Sequence, residues 1–111
     1  MKRDEFACQC GCGFNTIDYA VVAACDAIRE HFDQPVTVTS GCRCESHNRS
    51  PQVGGSAGSQ HLLGRAADII VRGVPPELVQ ELADNMGVGG LGSYSHFTHI
   101  DSRNGHSRWE G

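Results

Sequence analysis

No stretch of this 111-residue chain is apolar for long enough to cross a bilayer as a helix, which takes about 20 apolar residues in succession. No secretory leader is expected, for the same reason. Met1-Lys2-Arg3-Asp4-Glu5 is charged, but no apolar core follows it. The expectation is a chain made in the cytoplasm without a signal peptide. Basic residues are in deficit, with a formal net charge of −4, which argues against a nucleic-acid binder because such proteins carry a basic patch. Internal repeats and low-complexity segments are absent. The length leaves room for one modest core and none for a second domain, so residues 1–111 are expected to form a single domain. With 39% hydrophobic and 20% charged residues the composition is that of an ordinary soluble fold.

Glycine and cysteine are plentiful. Fourteen glycines in so short a chain point to many tight turns and a loop-rich α+β design. Of the six cysteines, Cys25 falls inside a helical pattern and suits a small buried hydrophobe. Cys8, Cys10 and Cys12 form one cluster, and Cys42 and Cys44 a second. These five could form a thiolate metal site, disulfides between the clusters, or neither. A small core gains from a staple, whereas the cytosol disfavours disulfides. The spacing is not that of a Cys-x-x-Cys knuckle.

Periodicity supplies the elements. Asn15 can cap a helix beginning near Thr16, with Asp18 in its first turn, and Ile17, Val21, Ala24, Ile28 and Phe32 mark its apolar face up to Pro35. Val36–Thr39 alternates as a strand and delivers Ser40-Gly41-Cys42-Arg43 to its end. Residues 45–60 are polar and read as a long loop of the kind that is often functional. Ala66 to Val71 makes a second strand. Pro75 and Pro76 open a short helix with Leu78, Leu82 and Met86 along one face and Gly87 as its stop. The runs Leu91–Tyr94 and Phe97–Asp101 suit an antiparallel pair, and Arg108-Trp109 is expected to fold back on the domain.

Three ligand-type residues sit on these elements. His61 and Asp68 flank Leu62-Leu63-Gly64-Arg65-Ala66-Ala67, and His99 lies in Phe97-Thr98-His99-Ile100-Asp101. An isolated His and Asp also fit a surface imidazole and a strand-end acid. The context favours a site: Gly64, Ala66 and Ala67 let backbone pass closely, and Asp68 opens an apolar strand. A His, a carboxylate and a second His give zinc three protein ligands and leave the fourth tetrahedral position open, the mark of a catalytic ion. On a strand His99 and Asp101 share a face, so Asp101 can accept the second N–H of the imidazole.

In order along the chain, Ser40-Gly41-Cys42-Arg43, His47-Asn48, Val53-Gly54-Gly55-Ser56, Ser59-Gln60-His61 through Asp68-Ile69, and Phe97 to Asp101 resemble the zinc D-Ala-D-Ala carboxypeptidase family. That family lies within the lysostaphin, D-Ala-D-Ala and hedgehog metallopeptidase superfamily, and the likeness is to its compact phage and prophage members. It runs from about Phe6 to Trp109. It implies a hedgehog/DD-peptidase-like zinc fold, with a small antiparallel sheet and helices on one side. It also implies zinc-dependent hydrolysis of peptide bonds in peptidoglycan stem peptides, as a carboxypeptidase or an endolysin-like endopeptidase. Such a monomer would act on the cell wall after release, or from a virion. A non-catalytic zinc-binding module, or a phage structural protein of the same fold, is the alternative.

The resemblance also implies roles. His61, Asp68 and His99 are the expected zinc ligands. Arg43, at the Ser-Gly-x-Arg position, is expected beside the substrate, where a guanidinium fork suits a terminal carboxylate. Ser59 is placed to donate to substrate, and His47 organises the loop. The chain departs from the family at the general base, where relatives carry a Glu three residues before the last His or a His two before it. Here those positions hold His96 and Phe97. His96 is the expected base, provided that a bend at Ser95-His96 turns it to the site face. Asp101 is the next candidate.

Overall fold

Asp18, not Asn15, caps the first helix. In the computed structural model, which describes residues 1–111, the Asp18 carboxylate accepts the Ala20 N–H and helix α1 runs Tyr19–Phe32. Residues 16–18 stay outside the helix because tertiary partners hold Asp18. Its N–H donates to the Gly64 carbonyl, and its second carboxylate oxygen accepts the Ser102 hydroxyl. Asp33, in the left-handed region at φ 51°, ends α1 ahead of Pro35.

Strand β1 is Val36–Ser40, and β2 is Ala66–Val71, the range expected from its apolar run. The intervening segment is less of a loop than its polarity suggests. It contains a short helix α2, Glu45–Arg49, and a 3-10 turn, Gln60–Leu63. Buried Asn48 ties the rest together by donating to the Ser56 carbonyl at 2.9 Å. Helix α3, Pro76–Met86, stops at Gly87 as expected, but its phase differs. Val79 and Ala83 are its buried side chains and Leu82 packs partly, while Leu78 and Met86 are exposed. Small Ala83 lets the helix approach α1 and the sheet closely, a fit that the spacing of large residues does not reveal.

Strands β3, Gly90–Ser93, and β4, Thr98–Asp101, pair antiparallel as expected. Strand β5, Ser107–Glu110, carries Arg108-Trp109 back to the domain and adds parallel to β3. The sheet order β1-β2-β4-β3-β5 is therefore mixed rather than wholly antiparallel. Ala67, Ile69 and Val71 of β2, Leu91 of β3 and Ile100 of β4 meet Val21, Cys25 and Ile28 of α1 in one core with Val79 and Ala83. The two longer helices thus cover one face of an α+β sheet. No helix is long and apolar enough to cross a membrane.

Candidate metal centre

The register of the uncovered sheet face assembles the site. Asp68 on β2 lies opposite His99 on β4, and Ala66 lies opposite Asp101. Side chains alternate along strands, so Asp68, His99 and Asp101 stand together, away from the helices. His61 reaches them from the 3-10 turn, where Ser59 caps the turn by accepting the His61 N–H at 3.2 Å. On β3, Gly90 pairs with Asp101 and Gly92 with His99. A Cβ at Gly90 would run into the Asp101 carboxylate, and one at Gly92 would sit 2.7 Å from the Trp109 indole. Glycine at both positions lets a carboxylate and an indole lie over the strand.

Asp68 Oδ1 is 3.3 Å from His61 Nε2 and 3.0 Å from His99 Nδ1, and all three residues are buried. Their donor atoms lie within 4.8 Å of one another. Tetrahedral zinc with bonds of about 2.1 Å spaces its ligand atoms by about 3.4 Å, so the group fits such an ion. The tautomers fit as well. His61 Nδ1 is 2.7 Å from the Gly41 carbonyl oxygen, which only accepts, so the proton sits on Nδ1 and Nε2 turns its lone pair inward. His99 is the mirror case: Nε2 donates to Asp101 Oδ2 at 2.7 Å, leaving Nδ1 for the centre. Asp101 also accepts a bidentate pair from one edge of Arg103, Nε to Oδ1 at 2.9 Å and Nη2 to Oδ2 at 2.7 Å.

Burial alone would raise the Asp68 carboxyl, but hydrogen bonds and charge from His61 and His99 outweigh it and hold it well below the usual carboxylate range. Asp101 is held down against its own burial by His99 and Arg103. For His99 burial opposes the imidazolium, yet Asp101 and Asp68 raise it above the ordinary histidine value. Both carboxylates thus stay ionised, Asp68 beside Arg43 and Asp101 beside Arg103, and Asp68 Oδ1 is the charged oxygen that faces both imidazoles.

Arg43 closes one side. Its Nη2 donates to Asp68 Oδ2 at 3.1 Å, Nε to Ser40 Oγ at 2.9 Å and Nη1 to Asn48 Oδ1 at 3.4 Å. A cleft of about 320 Å³ opens over the three donors, with Gly54, Gly55 and Ser56 in one wall and Arg43, Ser59 and Tyr94 among its lining. A larger cavity, about 580 Å³ between α1 and the 101–105 turn, holds none of the three donors, so volume is no guide to this site. Ser59, having accepted the His61 N–H, keeps its own hydroxyl proton. His47 helps order its loop: its N–H donates to Cys44 Sγ and its carbonyl accepts the Ser50 hydroxyl.

The structure does not bring His96 to the cleft. It is exposed in the bend before β4 and borders a crevice with Val74, Pro76 and Val79. It lies outside β4, in a bend that Gln80 holds by donating to the carbonyls of Tyr94 and Phe97. A general base contributes about 10²–10⁴-fold. His96→Ala is expected to forfeit none of that and to leave rate and zinc content at wild-type values in a paired turnover and metal assay.

Tyr94 and Trp109, placed by the sequence on a strand and a returning C-terminal segment, were not expected in the cleft that they line. The Tyr94 ring stacks on Phe97 at 4.4 Å, and its hydroxyl accepts the Trp109 Nε1–H at 3.0 Å. Trp109 in turn lies 5.0 Å from the His99 ring, with Arg103 over its face. Apart from this centre, Cys8, Cys10, Cys12 and Cys44 form a second group of ligand-type side chains. Cys42, grouped with them on sequence grounds, is outside it, buried where its N–H meets the Phe6 carbonyl. Cys25 is buried as expected, its thiol pushed up to about 12 by burial.

Residues 1–101 match the family model described as Peptidase M15. No curated protein matches the chain.

Proposed function

The chain belongs to the peptidase M15 family, and from that premise we propose that it hydrolyses peptide bonds in peptidoglycan stem peptides at the His61–Asp68–His99 centre. The family is zinc-dependent and of the D-Ala-D-Ala carboxypeptidase type. The observation that carries the reading is a buried His-Asp-His group, with its tautomers fixed from outside, opening onto a cleft that presents two arginines. His61 Nε2, Asp68 Oδ1 and His99 Nδ1 would hold the ion. When bound, zinc supplies Lewis-acid polarisation of a carbonyl and lowers the pKa of water.

The chain's own residues do the rest. The Gly41 carbonyl and Asp101 hold the two imidazoles in the required tautomers, so Asp101 is a positioning residue and not the base. Arg43 engages three of its five N–H donors within the protein, which leaves two for a substrate carboxylate. The Ser59 hydroxyl donates to the bound peptide. Apart from the three donors and the arginines, Tyr94 is the one titratable side chain lining the cleft. Because its oxygen already accepts from Trp109, its proton is free to be donated to the oxygen on which charge develops, or to the leaving amine. Residues 1–111 act in this reading as one monomeric domain, on cell wall reached after release or from a virion.

The test is turnover on purified peptidoglycan and on stem peptides with free-acid and amidated ends. Release of the terminal residue from free-acid peptides alone identifies a carboxypeptidase, and cleavage of both an endopeptidase. Bound zinc with no turnover on any of them would return the chain to a non-catalytic module. Tyr94→Phe removes the donated proton but keeps the stacked ring, so kcat should fall by about 10- to 100-fold, as for loss of one transition-state hydrogen bond, with KM and zinc content unchanged. An unchanged kcat would remove Tyr94 from the chemistry.

A further inference from the structure

Four cysteines converge at a point that the peptidase reading does not use. The sulfurs of Cys8, Cys10, Cys12 and Cys44 lie within 4.8 Å of one another, with Cys8 to Cys10 at 3.4 Å and Cys10 to Cys44 at 3.5 Å. None is in a disulfide. A tetrathiolate zinc with bonds of about 2.3 Å spaces its sulfurs by about 3.8 Å, so the cluster already stands near the size of a coordination sphere.

Two further features point to a metal. Backbone donors aim at the sulfurs: the Cys44 N–H reaches Cys8 Sγ and the His47 N–H reaches Cys44 Sγ, each at 3.4 Å. Such bonds offset thiolate charge and orient ligands. The backbone is also coiled to gather alternate residues. Cysteines two apart on an extended segment would share one face along its length without meeting. Here Gly11 and Gly13 take φ of 83° and 92°, the Gly11 N–H turns back to the Cys8 carbonyl, and the Cys8 N–H closes the loop on the Phe14 carbonyl. That left-handed winding brings the three sulfurs to one point, and Cys44 at the N-terminus of α2 supplies the fourth.

We propose that Cys8, Cys10, Cys12 and Cys44 form a closed tetrathiolate zinc site, structural in role and separate from the His61–Asp68–His99 centre. Sulfur takes all four positions, so no open position is left for water. Soft thiolates in this arrangement select zinc or iron over hard cations. The site fastens the 8–14 loop to residue 44, next to Arg43, and so steadies the turn from which Arg43 reaches Asp68.

The test is metal analysis of the full-length protein, together with cobalt exchange. Wild type should hold about two zinc ions per chain, and His61→Ala and Cys12→Ser one each. After cobalt exchange the intense thiolate-to-cobalt charge-transfer absorption should persist in His61→Ala and in Cys42→Ala, and vanish in Cys12→Ser. A His61→Ala protein without zinc, or wild-type protein whose cobalt form lacks that absorption, overturns the proposal. So does iron in place of zinc, or a native mass showing the four cysteines oxidised to disulfides. The wild-type cobalt spectrum decides the matter even if a cysteine variant fails to fold.

Discussion

His61→Ala should remove the zinc of the catalytic centre and with it essentially all hydrolysis. Of the three donors, His61 is the one brought from outside the sheet, and its Nε2 has no other partner than Asp68. Two ligands remain after the substitution, too few for a tetrahedral ion that must also keep an open position. Lewis-acid stabilisation is worth several kcal/mol, so the rate should fall by about 10³-fold or more. Asp68→Asn should do the same while preserving shape. Wild-type rates in either variant would remove the centre from the mechanism. Proton competition gives a second readout. In metal-stripped protein Asp101 and Asp68 raise His99 above its ordinary value against the effect of burial, and zinc must displace the proton on Nδ1. Zinc affinity should therefore climb as pH rises through the raised His99 value. The stability that the imidazolium lends to stripped protein runs the other way. It is fully present below the unfolded histidine value of about 6.5 and is lost as pH rises through the folded one. A zinc affinity independent of pH across neutrality would contradict this assignment.

The parts legible in the sequence were those set by local pattern. The apolar run of β2, the glycine stop of α3 and the pairing of β3 with β4 follow from periodicity and turn chemistry, and the His-Asp-His group followed from motifs placed on those strands. What was hidden depends on distant partners. Asn15 reads as the cap and Asp18 as a first-turn acid, but Gly64 and Ser102, far along the chain, hold Asp18 outside the helix and make it the cap. Trp109 gains its place only when β5 adds parallel to β3, and that nonlocal pairing carries no signal in the residues themselves. The same pairing explains Gly92, which the sequence places within the β3 run without a reason for its lacking a side chain and which proves to be space for the indole. His96 shows the converse. Its residue type and spacing suited a base, but its direction is fixed by Gln80 on α3, which holds the bend from behind.

Arg43→Lys should separate substrate recognition from scaffolding. The guanidinium spreads three contacts over Ser40, Asn48 and Asp68 from three different nitrogens, and Lys offers one compact ammonium on a flexible stem. The charge beside Asp68 is kept, so the centre should still bind zinc and the domain should still fold. Arg43→Ala would not give so clean a result, because it leaves a buried carboxylate without its cation, a change that costs about 3–5 kcal/mol. A charge-assisted hydrogen bond to a substrate carboxylate is worth about 1.5–3 kcal/mol, so the Lys variant should lose about 10- to 100-fold in kcat/KM on peptides with a free-acid end. Amidated peptides lack that carboxylate and should lose little. The ratio between the two substrates is the decisive quantity, because any general damage to the centre lowers both together. A ratio unchanged from wild type would assign Arg43 to Asp68 alone and leave Ser59 and Arg103 as the groups in the cleft that can meet the substrate's polar end.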